Sequence, residues 1–230
     1  KYAIDQNLGD VISISYGAGE SCFDSAYYQY QHAILQEARA KHISVLISSG
    51  DSGAVMVTCN GSNNYSYLKG TNVLDDPLVT MVGGTTLHAS VDKGTYQSET
   101  AWNEDSNYEG ATGGGFSSQF PSPAYQSGVT GSSYRGEPDV AWLGDPLTGV
   151  PVVQSSGGSI SVVPVGGTSV GAPAWAGLVA LFDQYSGRQL GFLNEGLYRI
   201  LQSKAYYGKA FHDITSGNNT VVGYDAKGQP

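Results

Sequence analysis

Two short segments of this sequence hold residue types that can do chemistry at the spacing chemistry needs. Gly167-Thr168-Ser169 follows one apolar run and opens another. A serine there has two advantages as a nucleophile. A tight glycine turn exposes its hydroxyl, and a helix N-terminus favours the negative charge that develops on it. On spacing alone the plainer reading is that Thr168 or Ser169 merely caps the helix. The second segment is Ser48-Ser49-Gly50-Asp51-Ser52-Gly53. It ends an apolar strand, and catalytic groups gather at the carboxyl ends of strands in parallel sheets. Asp51, set between glycines, can face a cleft, although a solvated turn aspartate has the same pattern.

The elements that must position these residues are read from hydrophobic periodicity. Asp10 to Tyr16 is a β-branched run ending at Gly17, and Ile43 to Ser49 is a second. Between them, Ser25 to Lys41 carries Tyr27, Tyr30, Ile34, Leu35 and Ala38 at helical spacing, with Ser25 placed as the N-cap. Strand, helix, strand over about 40 residues predicts a βαβ crossover, and hence a parallel sheet covered by helices. A third run, Leu78 to Val82, stops at Gly83-Gly84. Val150 to Val153 and Ile160 to Val165 flank a Ser-Ser-Gly-Gly-Ser segment and predict a hairpin. Ala172 to Tyr185 is apolar on nearly all sides, which predicts a central, buried helix, and Leu193 to Leu201 predicts another. The glycine groups at 83–84, 113–115, 157–158 and 166–167 read as tight turns. None is followed by the Lys-Ser/Thr of a P-loop or fits a dinucleotide fingerprint. The 230 residues read as a single α/β domain.

Composition narrows the function. Eleven basic against 20 acidic side chains give a net charge of −9, which argues against nucleic acid and anionic membranes as partners. The longest apolar run, Ala172 to Phe182, falls well short of the roughly 20 residues that span a bilayer. Few basic groups also limit self-repulsion when carboxylates protonate, which suits a protein working in acid outside the cytoplasm. Cys22 and Cys59 can form one disulfide in an oxidising compartment, or remain two buried thiols. Asn60, Asn64 and Asn218 begin glycosylation sequons at a frequency that chance explains. The chain opens on Lys1, which suggests a processed or truncated N-terminus.

Taken together, the segments carry a resemblance. Val163 to Leu181 (VPVGGTSVGAPAWAGLVAL) with Ile43 to Ala54 (ISVLISSGDSGA) resembles the sedolisins, serine-carboxyl peptidases with a subtilisin-like fold. Asp10 to Gly17, Val82 to Leu87 (VGGTTL), Ala101-Trp102-Asn103, Gly110 to Phe120 (GATGGGFSSQF) with Pro121 and Pro123, Pro138-Asp139-Val140-Ala141, Asp145-Pro146 and Leu190 to Tyr198 follow in family order. The resemblance covers nearly the whole chain. It implies an α/β, subtilisin-like fold, a mostly parallel sheet with helices on both faces, incomplete at its N-terminal side. Residues 1–230 would be the C-terminal portion of the peptidase domain, with a calcium loop at about 212–226.

The resemblance also implies roles. Ser169 matches the nucleophile that attacks a peptide carbonyl to give an acyl-enzyme. Asp51 matches the aspartate of the oxyanion site, where subtilisins use asparagine. An aspartate donates a hydrogen bond there only when protonated, so it implies activity in acid. Histidine is mostly protonated below about pH 5 and fails as a base, and the family uses a glutamate held by an aspartate instead. That pair belongs to a helix N-terminal to this segment. Asp5 and Asp10 lie at or before the first strand and do not match it, and His32, His42, His88 and His212 match no catalytic position. The calcium (Ca2+) ligands would be the side chains of Asp213 and Asp225 with the carbonyls of Ile214, Val221 and Gly223. Val221 stands where the family usually has glycine.

The sequence therefore predicts an acid-active endopeptidase or tripeptidyl-type peptidase, secreted or held in an acidic lysosome- or vacuole-like compartment. Its substrate is a peptide or protein, and an N-terminal chain of the same precursor carries the Glu-Asp pair. A non-catalytic extracellular structural or binding protein on the same scaffold is the alternative. An ordinary subtilisin is disfavoured by Asp51 and by the absence of a suitably placed histidine.

Overall fold

A computed structural model of the chain describes residues 1–57, 59, 67–69, 71–90, 92–104 and 110–221. After a four-residue helix α1 (Tyr2–Asp5), the first apolar run forms β1 (Val11–Ile14). Helix α2 (Ser25–Ala40) follows, and then β2 (Ser44–Ser48). The two strands pair in parallel, Val11 opposite Ser44 through to Ile14 opposite Ile47, which is the expected crossover. The cap of α2 is Asp24 rather than Ser25. The Asp24 side chain accepts from the Tyr27 N–H at 3.0 Å, and Ser25 is the first helical residue. A carboxylate one position earlier reaches the free N–H groups and also opposes the helix dipole, so it displaces the hydroxyl.

Beyond a short antiparallel ribbon of β3 (Val55–Val57) and β4 (Tyr67–Lys69), the third run becomes the long strand β5 (Thr80–Ala89). Its start pairs in parallel with β2. Its far half pairs antiparallel with β6 (Tyr96–Ala101). Strands β7 (Gly115–Pro121) and β8 (Tyr134–Glu137) make a separate antiparallel pair, and β9 (Val140–Leu143) returns in parallel to β5. The hairpin of β10 (Val150–Ser156) and β11 (Ser159–Val165) turns at Gly157-Gly158, both at positive φ. A long helix α3 (Thr168–Ser186), then α4 (Asn194–Leu201) and α5 (Tyr207–Ala210), complete the order.

Strand alternation explains why helices cover both faces. On β2, Val45 and Ile47 point to the α2 side, where they pack with Leu35, Ala38, Ile4 and Met81. Leu46 points the other way, into a second cluster with Val82, Ala172, Trp175 and Val179 of the α3 side. Successive side chains on a strand face opposite directions, so a continuous apolar run serves two layers at once.

Two expectations are corrected here. Helix α3 is not buried all round. Thr168, Gly171, Ala172, Trp175, Val179 and Asp183 face the sheet, while Leu181, Phe182 and Tyr185 are exposed, Tyr185 at 94%. The helix meets the sheet along one stripe, and the sheet can cover no more than that. Nor do Gly83 and Gly84 form a turn, because they lie within β5. A Cβ on Gly83 would stand 2.6 Å from the Pro138 ring, and one on Gly84 2.8 Å from Trp102. Close approach of neighbouring groups is what requires glycine there. Among the described residues no helix is long and apolar enough to cross a membrane.

Candidate active site

The carboxyl end of β2 and the N-terminus of α3 meet, although 117 residues separate their key side chains. Asp51 Oδ1 accepts from the Thr168 N–H at 2.7 Å and from the Thr168 hydroxyl at 2.7 Å. The Thr168 oxygen in turn accepts from the Gly50 N–H at 3.1 Å. Helix α3 has Gly167 at its N-cap position and no side-chain cap of its own, so the carboxylate of Asp51 caps it from across the fold. Neither Thr168 nor Ser169 serves as that cap, and Asp51 is more than a solvated turn residue. Its second oxygen, Oδ2, lies beside Gly167, where a Cβ would come within 2.8 Å. Gly167 has φ +90°, a conformation that L side chains rarely adopt, and this turn presents the next two residues at the helix start.

Ser169 is the second residue of α3 and is exposed, as a nucleophile must be. Its backbone is held in an unusual way. Pro173 lies inside the helix and has no N–H to give to the carbonyl four residues earlier, which is that of Ser169. The Ser15 hydroxyl, just past β1, donates to that carbonyl at 3.2 Å. Ser15 is thus the supporting residue that the sequence did not single out, and Thr168 supports the site as a donor to Asp51 where a cap was expected. Thr168 was visible in the Gly-Thr-Ser motif, and the pairing of Ser15 with a proline-freed carbonyl needs three dimensions.

The Asp51 turn is braced on two sides. Gly113 packs so tightly on Ser49 that a Cβ would lie 2.1 Å from the Ser49 carbonyl oxygen. The Gly113–Gly115 segment is therefore a close-packed strand entry and no tight turn. On the other side the Ala54 N–H donates to the Asn219 carbonyl at 2.9 Å, and Asn103 Nδ2 donates to the carbonyls of Asn218 and Thr220 at 3.1 and 2.8 Å. The chain segment expected to carry calcium therefore backs the strand end that carries Asp51. A cavity of about 460 Å³ opens between this segment, the glycines of β5 and the Gly113–Phe116 stretch.

Of the expected metal ligands, Asp213 is exposed, and its Oδ1 accepts from the Tyr207 hydroxyl at 2.9 Å. Ile214 lines the cavity, and Val221 packs towards Gly53. Gly223 and Asp225 lie outside the described residues. Among the described residues only Asn7 and His42 combine a side chain with positive φ, and Val221 is not one of them. Asp213 and backbone carbonyls are hard oxygen donors of the kind calcium takes. Among the described residues no three His, Cys, Asp or Glu side chains are grouped to hold a metal.

The other titratable residues have separate employment. Asp5 pairs with Lys1 at 2.5 Å, and Asp10 accepts from Gln189. His32 Nδ1 lies 2.7 Å from Asp76 Oδ2, and burial holds the Asp76 carboxyl above its ordinary range against the pull of Leu78 N–H and His32. His212 stacks on Tyr96 with ring centroids 3.8 Å apart. Cys22 and Cys59 are joined in a disulfide.

No family model matches the chain. Kumamolisin from Bacillus sp. (strain MN-32) is 36% identical over 220 residues, which are 92% of this chain and 37% of that protein. Sedolisin from Pseudomonas sp. (strain 101) is 32% identical over 227 residues, 96% of this chain and 37% of its own. Tripeptidyl-peptidase 1 from Homo sapiens is 32% identical over 243 residues, 96% and 39% respectively. The chain thus spans less than two-fifths of the length of these curated relatives. Among solved structures, Pseudomonas sedolisin, a serine-carboxyl proteinase complexed with two molecules of pseudo-iodotyrostatin, matches with a TM-score of 0.78. That match has 31% identity and covers 97% of this chain and 61% of that one. Across the residues it spans, with their α/β, subtilisin-like architecture, the chain belongs to the sedolisin family.

Proposed function

We propose that this chain supplies the nucleophile and the oxyanion donor of an acid-active serine-carboxyl peptidase. The observation that carries the reading is the clamp of Asp51 onto Thr168, the residue before the exposed Ser169. Ser169 Oγ attacks the carbonyl carbon of a peptide bond, and the carbonyl oxygen takes up the electron pair. Asp51 Oδ1 is committed to two donors, which leaves Oδ2 as the atom that carries a proton and donates to that oxyanion. An ionised carboxylate would repel it. Collapse of the intermediate expels the amine and leaves an ester on Ser169, which water then hydrolyses.

The proton leaving Ser169 needs a base. We assign the base to a Glu-Asp pair elsewhere in the protein. The short span of the chain relative to its relatives supports that assignment. A peptide or protein substrate follows from the relatives' names, and endo- or tripeptidyl cleavage are both compatible with the residues present. A scaffold retained for binding alone would not need the nucleophile and its clamp intact. The Cys22–Cys59 disulfide supports a secreted protein or one held in an acidic compartment. Recovery of the protein from medium or an acidic vesicle fraction, and not from cytosol, checks that placement.

The test is peptide cleavage by the intact protein near pH 4, with Ser169→Ala abolishing turnover while the melting temperature holds. Full activity in that variant would end the proposal. Asp213, Ile214 and Val221, with Gly223 and Asp225, would hold a calcium ion whose part is to stiffen the segment behind Asp51. Excess chelator should then lower the melting temperature. An unchanged transition, with no calcium by elemental analysis, removes the metal.

A further inference from the structure

Close behind the candidate site, three carboxyl groups share a buried pocket. Glu20, Asp75 and Glu137 are 2%, 0% and 7% exposed. Their surroundings are unequal. Glu20 is fully served, accepting from the Ser117 hydroxyl, the Ser118 N–H and the Ser118 hydroxyl. Asp75 Oδ2 accepts from the Thr71 hydroxyl at 2.8 Å, with the Ser117 hydroxyl also acting on this carboxyl, and Glu137 Oε1 accepts from the Asn72 N–H at 3.2 Å. Asp75 Oδ1 and Glu137 Oε2 are buried with no hydrogen-bond partner.

An ionised carboxylate with an unserved buried oxygen is costly, and neutralisation relieves the cost. The cation nearest to both is Arg135, also buried, and it is engaged elsewhere. Its two terminal nitrogens grip the carboxylate of Asp139 at 2.9 and 2.5 Å. The remaining facing groups give no positive charge: Glu20 from the short turn after β1, Asp139 beyond β8, and the Tyr28 phenol from α2. The next carboxyl in the chain, Asp76, is already paired with His32. Burial, then repulsion by Glu20, pushes Asp75 up to about 8 against the pull of Thr71, Arg135 and Ser117. Burial, then repulsion by Asp75, holds Glu137 well above the ordinary carboxyl range.

The pocket is tied to the candidate site by two routes. The segment from Ser15, which holds the Ser169 carbonyl, runs directly to Glu20. Asn72, whose N–H serves Glu137, donates from its side chain to the Ser48 carbonyl at 3.0 Å, three residues before Asp51. Glu137 itself pairs in register with Gly115, next to the cavity.

We infer that Asp75 and Glu137 form a proton-operated latch. Neutral, they let the Asn72 turn and the Gly115 strand stay joined through the Asn72–Glu137 bond and pack against Glu20; ionised, they repel each other and Glu20 and loosen these segments. Between about pH 4 and pH 8 the folded protein retains protons that the unfolded chain gives up, so stability falls as pH rises through that window. This inference does not use the peptidase reading, and its readout is stability, which a failure of that reading would leave untouched.

The experiment follows the melting temperature of the intact protein from pH 4.5 to pH 8. We expect a fall on the order of 10 °C in the unmodified protein. Glu137→Gln and Asp75→Asn, which cannot ionise, should each remove at least half of that fall, and the surface control Asp92→Asn should keep all of it. A flat profile in the unmodified protein, or an undiminished fall in both amide variants, overturns the latch. Should neither variant fold, infrared spectra of the unmodified protein decide. Protonated carboxyl absorption persisting at pH 6.5, where free carboxyls are ionised, supports the latch, and its absence refutes it.

Discussion

The Asp51 turn follows the end of β2 and the Asp75–Glu137 pocket reaches the same strand end through Asn72, yet their carboxyl groups answer to different partners. Asp51 is exposed, with one oxygen taken by two donors on Thr168 and the other beside Gly167. Asp75 and Glu137 are buried, each with one oxygen served and one without a hydrogen-bond partner. Solvent reaches the first freely and the second hardly at all. The difference teaches that a carboxyl's place in the chain says little about its work, which donor supply and exposure decide. We assign the chemistry to Asp51 and the pH-dependent assembly to the pocket, and the two are therefore separable.

The largest effect that tests this separation is expected from Asp51→Ala. Loss of one oxyanion donor costs about a hundredfold to a thousandfold in kcat. The variant should keep the fall of melting temperature with pH, since the pocket is untouched. Asp51→Asn sharpens the point, because an amide donates a hydrogen bond at any pH. Its residual activity should extend to higher pH than that of the unmodified protein, up to the limit the pocket sets. A loss below tenfold in Asp51→Ala, or a flattened stability profile in either variant, would merge the two regions into one.

How far these regions could be read from sequence differs for a physical reason. The parallel crossover was legible because apolar runs such as Ile43 to Ser49 record burial on two faces directly. The meeting of the Asp51 and Ser169 segments could be expected because they carry a family resemblance and sit at element ends, where sheets of this type put their chemistry. The buried pocket was not. Glu20, Asp75 and Glu137 are far apart in the chain, and isolated acidic residues read as solvated surface. Only the packing of β8 beside β7 and the turn before β5 removes them from water. The glycines misled for a related reason. Gly83, Gly84 and Gly113 resemble turn formers in sequence, while the requirement they meet is space for Pro138, Trp102 and the Ser49 carbonyl. The exposed stripe of α3 was equally invisible, since a uniformly apolar helix carries no mark of how much of it the sheet can cover.

The smallest expected effect concerns the joint between the two regions. Ser15 supports the carbonyl that Pro173 leaves free at Ser169, and the segment it begins ends at Glu20 in the pocket. Ser15→Ala deletes one exposed hydrogen bond between neutral groups, worth about 0.5–1.5 kcal/mol, so kcat should fall between about twofold and tenfold. Because the bond holds the nucleophile's backbone and touches no substrate, KM should stay within experimental error. Ser15→Thr, which keeps the hydroxyl, should recover much of the loss. The melting profile should keep its slope with pH in both variants, because neither changes a titrating group. If Ser15→Ala instead raised KM with kcat unchanged, the hydroxyl would belong to substrate binding, and the carbonyl of Ser169 would have to be held by the helix and the Asp51–Thr168 clamp alone.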